Sequence, residues 1–226
     1  MFVSGLMGMA LVITLPACDS NGGPGDEPPG DGLEAPAAPS GLEAASQDGA
    51  AELQWDDVDG AASFTLYRDT ESGVDASRSP LETGISGTSF TDETAENGTP
   101  FFYVVTAVAK EGGETAESDP SGEAEAIPFA PPTALEGTSG DAQVELSWEG
   151  GVGAEAFNVY RDTTSGVDAS GEPLEAGIVE TSFVDETAEN GTTYFYVATS
   201  LNPKEEESGV SNEVEKTPFS DPPDRP

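Results

Sequence analysis

Few side chains in this sequence could do covalent or metal chemistry. There is one cysteine, Cys18, and no histidine, beside 44 aspartates and glutamates and 7 lysines and arginines. Without histidine, neither a Ser-His-Asp triad nor a Cys-His pair can be assembled, and a His/Cys metal cluster is excluded as well. A single cysteine also excludes a disulfide within the chain. Carboxylates remain, but they are so numerous that a glycosidase-like pair carries no information.

The acidic stretches do not predict a cation site either. Asp57, Asp59 and the segment "GDGLE" at 30–34 supply oxygen ligands, but no twelve-residue loop with alternating ligands contains them. A solvated acidic surface explains them better. The sequence therefore predicts no metal, no cofactor and no catalytic residue.

The residues before Cys18 give that cysteine a different role. "MFVSGLMGMALVITLPAC" is an apolar run too short to cross a bilayer, and it is typical of a secretory signal. Its last four residues resemble the lipobox of bacterial lipoproteins. The resemblance implies cleavage before Cys18, a diacylglycerol on the Cys18 sulfur and a further acyl chain such as palmitate. An ordinary secretory signal with an accidental cysteine is the alternative.

The net charge narrows the possible partners. A formal charge of −37 excludes a nucleic-acid binder, because neutralising phosphates requires a basic face. Such a charge also repels itself, and roughly 1 M salt would screen that repulsion. We therefore expect a salt-loving source; an acidic surface on an ordinary exported protein is the alternative.

The rest of the chain is a tether, two repeats and a tail. Residues 18–35 are rich in Gly, Pro, Asp and Glu and predict a disordered tether. The octapeptide "DETAENGT" occurs at Asp92–Thr99 and again at Asp185–Thr192, 93 positions later, and matches at the same offset extend from Trp55 to Tyr103. Later the offset slips to 90, as from Pro128 to Pro218. A repeat near 90 residues indicates two autonomous modules.

Each repeat has an all-β pattern. Leu53 and Trp55 alternate with polar residues, and Phe101 begins a longer alternation, with turn signals such as "ENG" between such stretches. About seven short strands in a module of about 90 residues predict a β-sandwich. "AELQWDDVDGAASFTLYRDT" followed by "TSFTDETAENGTPFFYVVTAV", and its twin in the second repeat, resemble fibronectin type III domains. We expect two tandem fibronectin type III modules at 36–128 and 129–218, with a tail at 219–226.

The resemblance also singles out one tyrosine. In this family a corner tyrosine binds a nearby backbone group through its hydroxyl, and it corresponds to Tyr194. The first module has Phe101 at this position. We therefore expect the first module to lack that hydrogen bond.

Strand alternation predicts which side chains point away from each core. They form an aromatic and aliphatic strip on the outer face of two neighbouring strands in each module, the third strand, which contains "YRDT", and the strand that follows "ENGT". This strip is the candidate binding face: Tyr67, Phe102, Val104, Tyr160, Phe195 and Val197. Such a strip can mark an interaction site. The alternative is that the long segment that begins at "YRDT" in each module folds back and covers it.

These features predict an exported, lipid-anchored, non-catalytic protein of the cell envelope. Its partners would be the membrane, through Cys18, and a protein or glycan ligand bound in adhesion. The alternative function is a structural spacer or accessory subunit that presents another envelope component. A covered outer face favours the spacer, and an open face favours binding.

Overall fold

The computed structural model describes residues 32–220, and this part of the chain is built from strands without a helix. In chain order the strands are β1 (Glu43–Gln47), β2 (Ala50–Gln54), β3 (Ser63–Asp69), β4 (Glu82–Ile85), β5 (Ser89–Asp92), β6 (Phe101–Glu111), β7 (Glu114–Glu117), β8 (Ala124–Ala126), β9 (Thr133–Ser139), β10 (Val144–Glu149), β11 (Ala156–Asp162), β12 (Glu175–Ile178), β13 (Ser182–Asp185), β14 (Tyr194–Leu201) and β15 (Val214–Lys216). The predicted signal at 1–17, Cys18, most of the tether and most of the tail lie outside the described residues. Within 32–220, no helix is long and apolar enough to cross a membrane.

The first module is a sandwich of two antiparallel sheets. One sheet has the order β1-β2-β5, and the other has the order β4-β3-β6-β7 with β8 also paired to β6. The period-2 alternation explains the packing, because one face of each strand is apolar. Trp55, directly after β2, meets Phe64 from β3 edge to face, with ring centroids 5.6 Å apart.

The second module repeats this architecture. Its sheets have the orders β13-β10-β9 and β12-β11-β14-β15. Trp148 and Phe157 repeat the edge-to-face contact, with centroids 5.5 Å apart. Each module buries its own hydrophobic cluster, so the two cores are separate.

Candidate functional site

The predicted outer strip is largely buried. Four of its six side chains are inaccessible: Tyr67 is 4% exposed, Val104 2%, Tyr160 4% and Val197 1%. The remaining two aromatic rings, Phe102 and Phe195, are only partly exposed. Of the two alternatives that the sequence left open for this candidate binding face, the burial supports the covered face, because a ligand could not reach most of the strip without unfolding what covers it.

The segment after β3 provides the cover in the first module. Val74 is 8% exposed and packs with Tyr67 and Val104 in one buried cluster, and Ala76 and Phe102 lie against this cluster. The outer strip is thus the inner wall of a second, smaller core.

A carboxylate fastens the cover at one end. Glu123 accepts hydrogen bonds from Ser72 Oγ at 2.6 Å, from the Gly73 N–H at 2.7 Å and from the Val74 N–H at 2.9 Å. The bond from Ser72 is the largest cause of a lowered pKa at Glu123.

Glu213 repeats this arrangement in the second module. It accepts from Ser165 Oγ at 2.7 Å and from the N–H groups of Gly166 and Val167 at 2.8 and 2.9 Å. Both modules therefore carry the same fastening.

A second carboxylate in each module accepts the tyrosine hydroxyl of the strip. Tyr67 donates to Glu117 Oε1 at 2.8 Å, and Tyr160 donates to Glu207 Oε1 at 2.7 Å. Burial, followed by the hydrogen bond to Glu117, raises the pKa of Tyr67 to about 12. Thr106 donates to the same oxygen of Glu117 at 2.5 Å. The polar ends of the strip are satisfied within the module and are not available to a ligand.

The octapeptide contributes a buried ionic network that sequence analysis missed. Asp92 is 2% exposed and accepts four hydrogen bonds: from the Thr94 N–H at 3.0 Å, Thr94 Oγ1 at 2.7 Å, Arg68 Nη1 at 2.5 Å and Tyr103 Oη at 2.9 Å. Burial raises the pKa of Asp92, but the bonds from Thr94, Arg68 and Tyr103 together lower it further. Asp92 is therefore a buried anion held by complete hydrogen bonding.

The Arg68 guanidinium also lies over the Phe101 ring, 4.6 Å from its centroid. The second module repeats the network with Asp185, Arg161 and Tyr196, and Arg161 lies over Tyr194 at the same distance. The sequence pattern that could have indicated this network is that "YRDT" and "DETAENGT" are repeated together. The sequence does not show, however, that these two segments are in contact.

The later residues of the octapeptide fix a turn. Asn97 Oδ1 accepts the Gly49 N–H at 2.8 Å, and Asn97 Nδ2 donates to Asp48 at 2.8 Å. Gly98 has a φ of 79°, as the predicted Asn-Gly turn requires, and its N–H donates to Pro128 O at 2.8 Å. The motif is thus a structural element in each module.

The corner tyrosine differs between the modules as expected. The Tyr194 hydroxyl accepts a long hydrogen bond of 3.3 Å from the Glu189 N–H, and Phe101 has no hydroxyl to do so. The network around Asp92 is complete in the first module nevertheless.

The two modules meet through a polar clamp. Ser46 Oγ donates to Glu206 Oε2 at 2.5 Å, and Asn202 Nδ2 donates to Glu206 Oε2 at 2.6 Å and to Ile127 O at 3.1 Å. Ser46 Oγ in turn accepts the Ile127 N–H at 3.0 Å. Burial raises the pKa of Glu206, but the bonds from Ser46 and Asn202 and the charge of Lys204 lower it further.

Glycines and one phenylalanine complete the junction. Phe129 is 1% exposed. Gly153 lies so close to the first module that a Cβ there would be 2.8 Å from Gly98 N and from Pro128 O, and a Cβ on Gly151 would be 1.9 Å from Ala130 O. The contact is therefore a close fit of backbone on backbone.

One surface groove lies on the three-stranded sheet of the first module. It is an open groove of about 750 Å³ along β1, β2 and β5, with Phe90 as its aromatic residue and carboxylates such as Glu43, Glu52 and Glu123 in its walls. No group of three or more carboxylates or cysteines suited to a metal ion occurs within 32–220.

The strand order of each module, three strands packed on four or more, is that of an immunoglobulin-like β-sandwich. Both modules have the fibronectin type III fold, and the tandem arrangement expected from the sequence is confirmed. No family model matches the chain.

Among curated proteins, the chain is similar to segments of amylopullulanases. It is 35% identical over 77 residues to the enzyme of Thermoanaerobacterium thermosulfurigenes, covering 34% of this chain and 4% of that enzyme. It is 35% identical over 88 residues to the enzyme of Thermoanaerobacter thermohydrosulfuricus, covering 39% of this chain and 6% of that enzyme. The chain thus spans only a small part of these relatives.

The solved structures similar to it include the following two. A Fn3-like protein from Clostridium thermocellum is 35% identical with a TM-score of 0.37, covering 42% of this chain and 95% of that chain. The FN1–FN3 domains of chicken CNTN1 are 14% identical with a TM-score of 0.45, covering 82% of this chain and 66% of that chain.

Proposed function

We propose that this protein is a lipid-anchored, non-catalytic spacer, which holds another component of the cell envelope at a fixed distance and orientation. The supporting observation is the junction between the modules. The described residues 33–220 fall within a single compact unit, and Phe129, at the junction, is 1% exposed.

The polar contacts between the modules restrict their relative motion more than a short linker alone would. Ser46, Asn202 and Glu206 join backbone and side chains of both modules, and Lys204 Nζ donates to Glu125 O at 2.5 Å. Bending at this junction would take the Ser46 donor away from the partly buried carboxylate of Glu206, which is costly. A spacer needs this stiffness, whereas an adhesive module needs an accessible surface.

The covered outer strip favours the spacer over adhesion. The side chains proposed for binding are used internally, by the covering segment and by Glu117 and Glu207. Within the proposal, acylation of Cys18 would fix one end to the membrane, because two or three acyl chains anchor stably.

Small-angle X-ray scattering of residues 19–226 tests the stiffness. We expect the native pair to fit one rigid shape, and the Ser46→Ala/Asn202→Ala double variant to fit a broader distribution of interdomain distances. Ser139→Ala, which alters the equivalent serine of the second module, is the matched control and should leave the scattering unchanged. A native protein that scatters as two freely jointed modules would contradict the proposal.

The anchor has its own test in the full chain expressed in a bacterial host. Cys18→Ser should move the protein from the membrane fraction to the soluble fraction and abolish the mass increase of acylation. If the native protein carried no acyl group, the proposed lipid anchor would be wrong, but the proposed stiffness of the junction would not be affected.

A second candidate function rests on the relatives. Similarity to segments of amylopullulanases at 33–35% identity favours an accessory role beside a glucan-degrading enzyme. Retarded migration of the protein in a native gel containing pullulan would support it, and unchanged migration would count against direct glucan binding.

A further inference from the structure

The far end of the second module repeats the surface that the first module uses at the junction. Phe219 corresponds to Phe129, and its N–H donates to Gly140 O at 3.1 Å, as the Phe129 N–H donates to Gln47 O at 3.2 Å. The Gly191 N–H donates to Pro218 O at 2.9 Å, as the Gly98 N–H donates to Pro128 O at 2.8 Å. The backbone geometry of the two ends is therefore the same.

The two ends differ in what covers them. Phe129 lies at the junction, close to residues of both modules, and is 1% exposed, whereas Phe219 is 53% exposed. A Cβ on Gly98 would lie 3.5 Å from Gly153, whereas a Cβ on Gly191 would meet nothing within 4 Å. We name the surface formed by Ser139, Gly140, Gly191, Pro218 and Phe219 the distal end.

We propose that the distal end docks the amino-terminal end of a fibronectin type III module that belongs to the component being presented. The inference rests on the proposed spacer function and names the class of its partner. The junction indicates this occupant, because there the surface that covers the first module is a turn of glycines around Val152 together with the amide of Asn202. A module with such a glycine turn and amide would find at the distal end the same backbone surface that the second module already contacts on the first module.

A second copy of this chain is a poorer occupant. Its free amino-terminal end is that of the first module, which has Asp59 at the position of Val152 and Ala109 at the position of Asn202. Asp59 would place a negative charge beside the glycine turn, and the alanine would remove the donor to the backbone carbonyl of Ile127. The high negative charge of both copies also opposes their association.

The second module itself, as residues 130–220, is the probe with the required end. Its strands β9–β15 pair with one another and enclose their own core, so it has the elements needed to fold alone, which circular dichroism checks first. Isotope-labelled full chain is titrated with this unlabelled probe to about 1 mM in molar salt, where repulsion is screened.

We expect amide shifts in the full chain confined to the distal end, and their loss in Phe219→Ser. A Val152→Asp probe should produce no shifts, whereas Val179→Asp, which changes an equally exposed valine elsewhere, should act as the unaltered probe does. Unlabelled full chain, whose second module is already docked, should also produce none.

Three results would overturn the proposal: no shifts with a folded probe, shifts that survive Phe219→Ser, or equal shifts from the unlabelled full chain. None of them bears on the stiffness of the junction, so a failure here is separable from a failure of the spacer function.

Discussion

Replacing Asp92 by alanine tests whether the repeated octapeptide exists for stability. The carboxylate is buried and accepts four hydrogen bonds, one of them from the hydroxyl of Tyr103, which is itself fully buried. Removal leaves that hydroxyl without an acceptor and leaves Arg68, whose side chain is 22% exposed, without its buried partner. Breaking a buried pair on one side costs about 3–5 kcal/mol, and we expect a loss in this range for the first module.

The magnitude can be divided by a double-mutant cycle. An orphaned buried hydroxyl costs about 1–3 kcal/mol, and Tyr103→Phe removes the hydroxyl. Asp92→Ala/Tyr103→Phe should therefore be less destabilised than the sum of the single changes, by about 1–2 kcal/mol.

Urea unfolding followed by tryptophan fluorescence measures this. Each module has one tryptophan, so a Trp148→Phe background leaves Trp55 to report on the first module alone. Glu93→Ala removes a neighbouring exposed carboxylate and is the control for the change in net charge. A loss below about 1 kcal/mol for Asp92→Ala, or strict additivity in the cycle, would refute the account of the network.

Three further predictions concern backbone strain, pH and salt. Ala142 has a φ of 50° where the first module has Gly49 at 67°. Ala142→Gly should therefore stabilise the second module by about 1 kcal/mol in urea unfolding. Gly49→Ala should destabilise the first module through backbone strain alone, because a Cβ at Gly49 would meet nothing within 4 Å. The folded-state pKa values of Asp92 and Asp185 lie below their ordinary value. The stability that these two carboxylates contribute is therefore present above about pH 4 and is lost as the pH falls through the folded pKa values. In molar salt we expect a Tm that is flat between about pH 5.5 and 8 and falls steeply below about pH 4. At neutral pH the Tm should rise between about 0.01 M and 1 M sodium chloride, and a flat dependence would show that the charge of −37 does not limit stability.

Sequence alone determined the architecture of this protein. Alternation of apolar residues is a local property, so the strands around Trp55 and Trp148 could be predicted from their own neighbours. Because the sequence is duplicated, a strand predicted in one module supported the same prediction in the other. The Asn-Gly turn could be predicted because glycine adopts the positive φ that Gly98 and Gly191 have.

The tertiary structure decided the rest, because the decisive contacts join residues far apart in the chain. Glu123 fastens the segment at Val74, and Ser46 reaches Glu206 across the junction. A pattern of period two places Tyr67 on the outer face of a sheet but carries no information about whether another segment covers that face. Burial of the strip, the ionic network at Asp92 and the exposure of Phe219 all depend on which distant backbone comes close, and only the folded chain determines that.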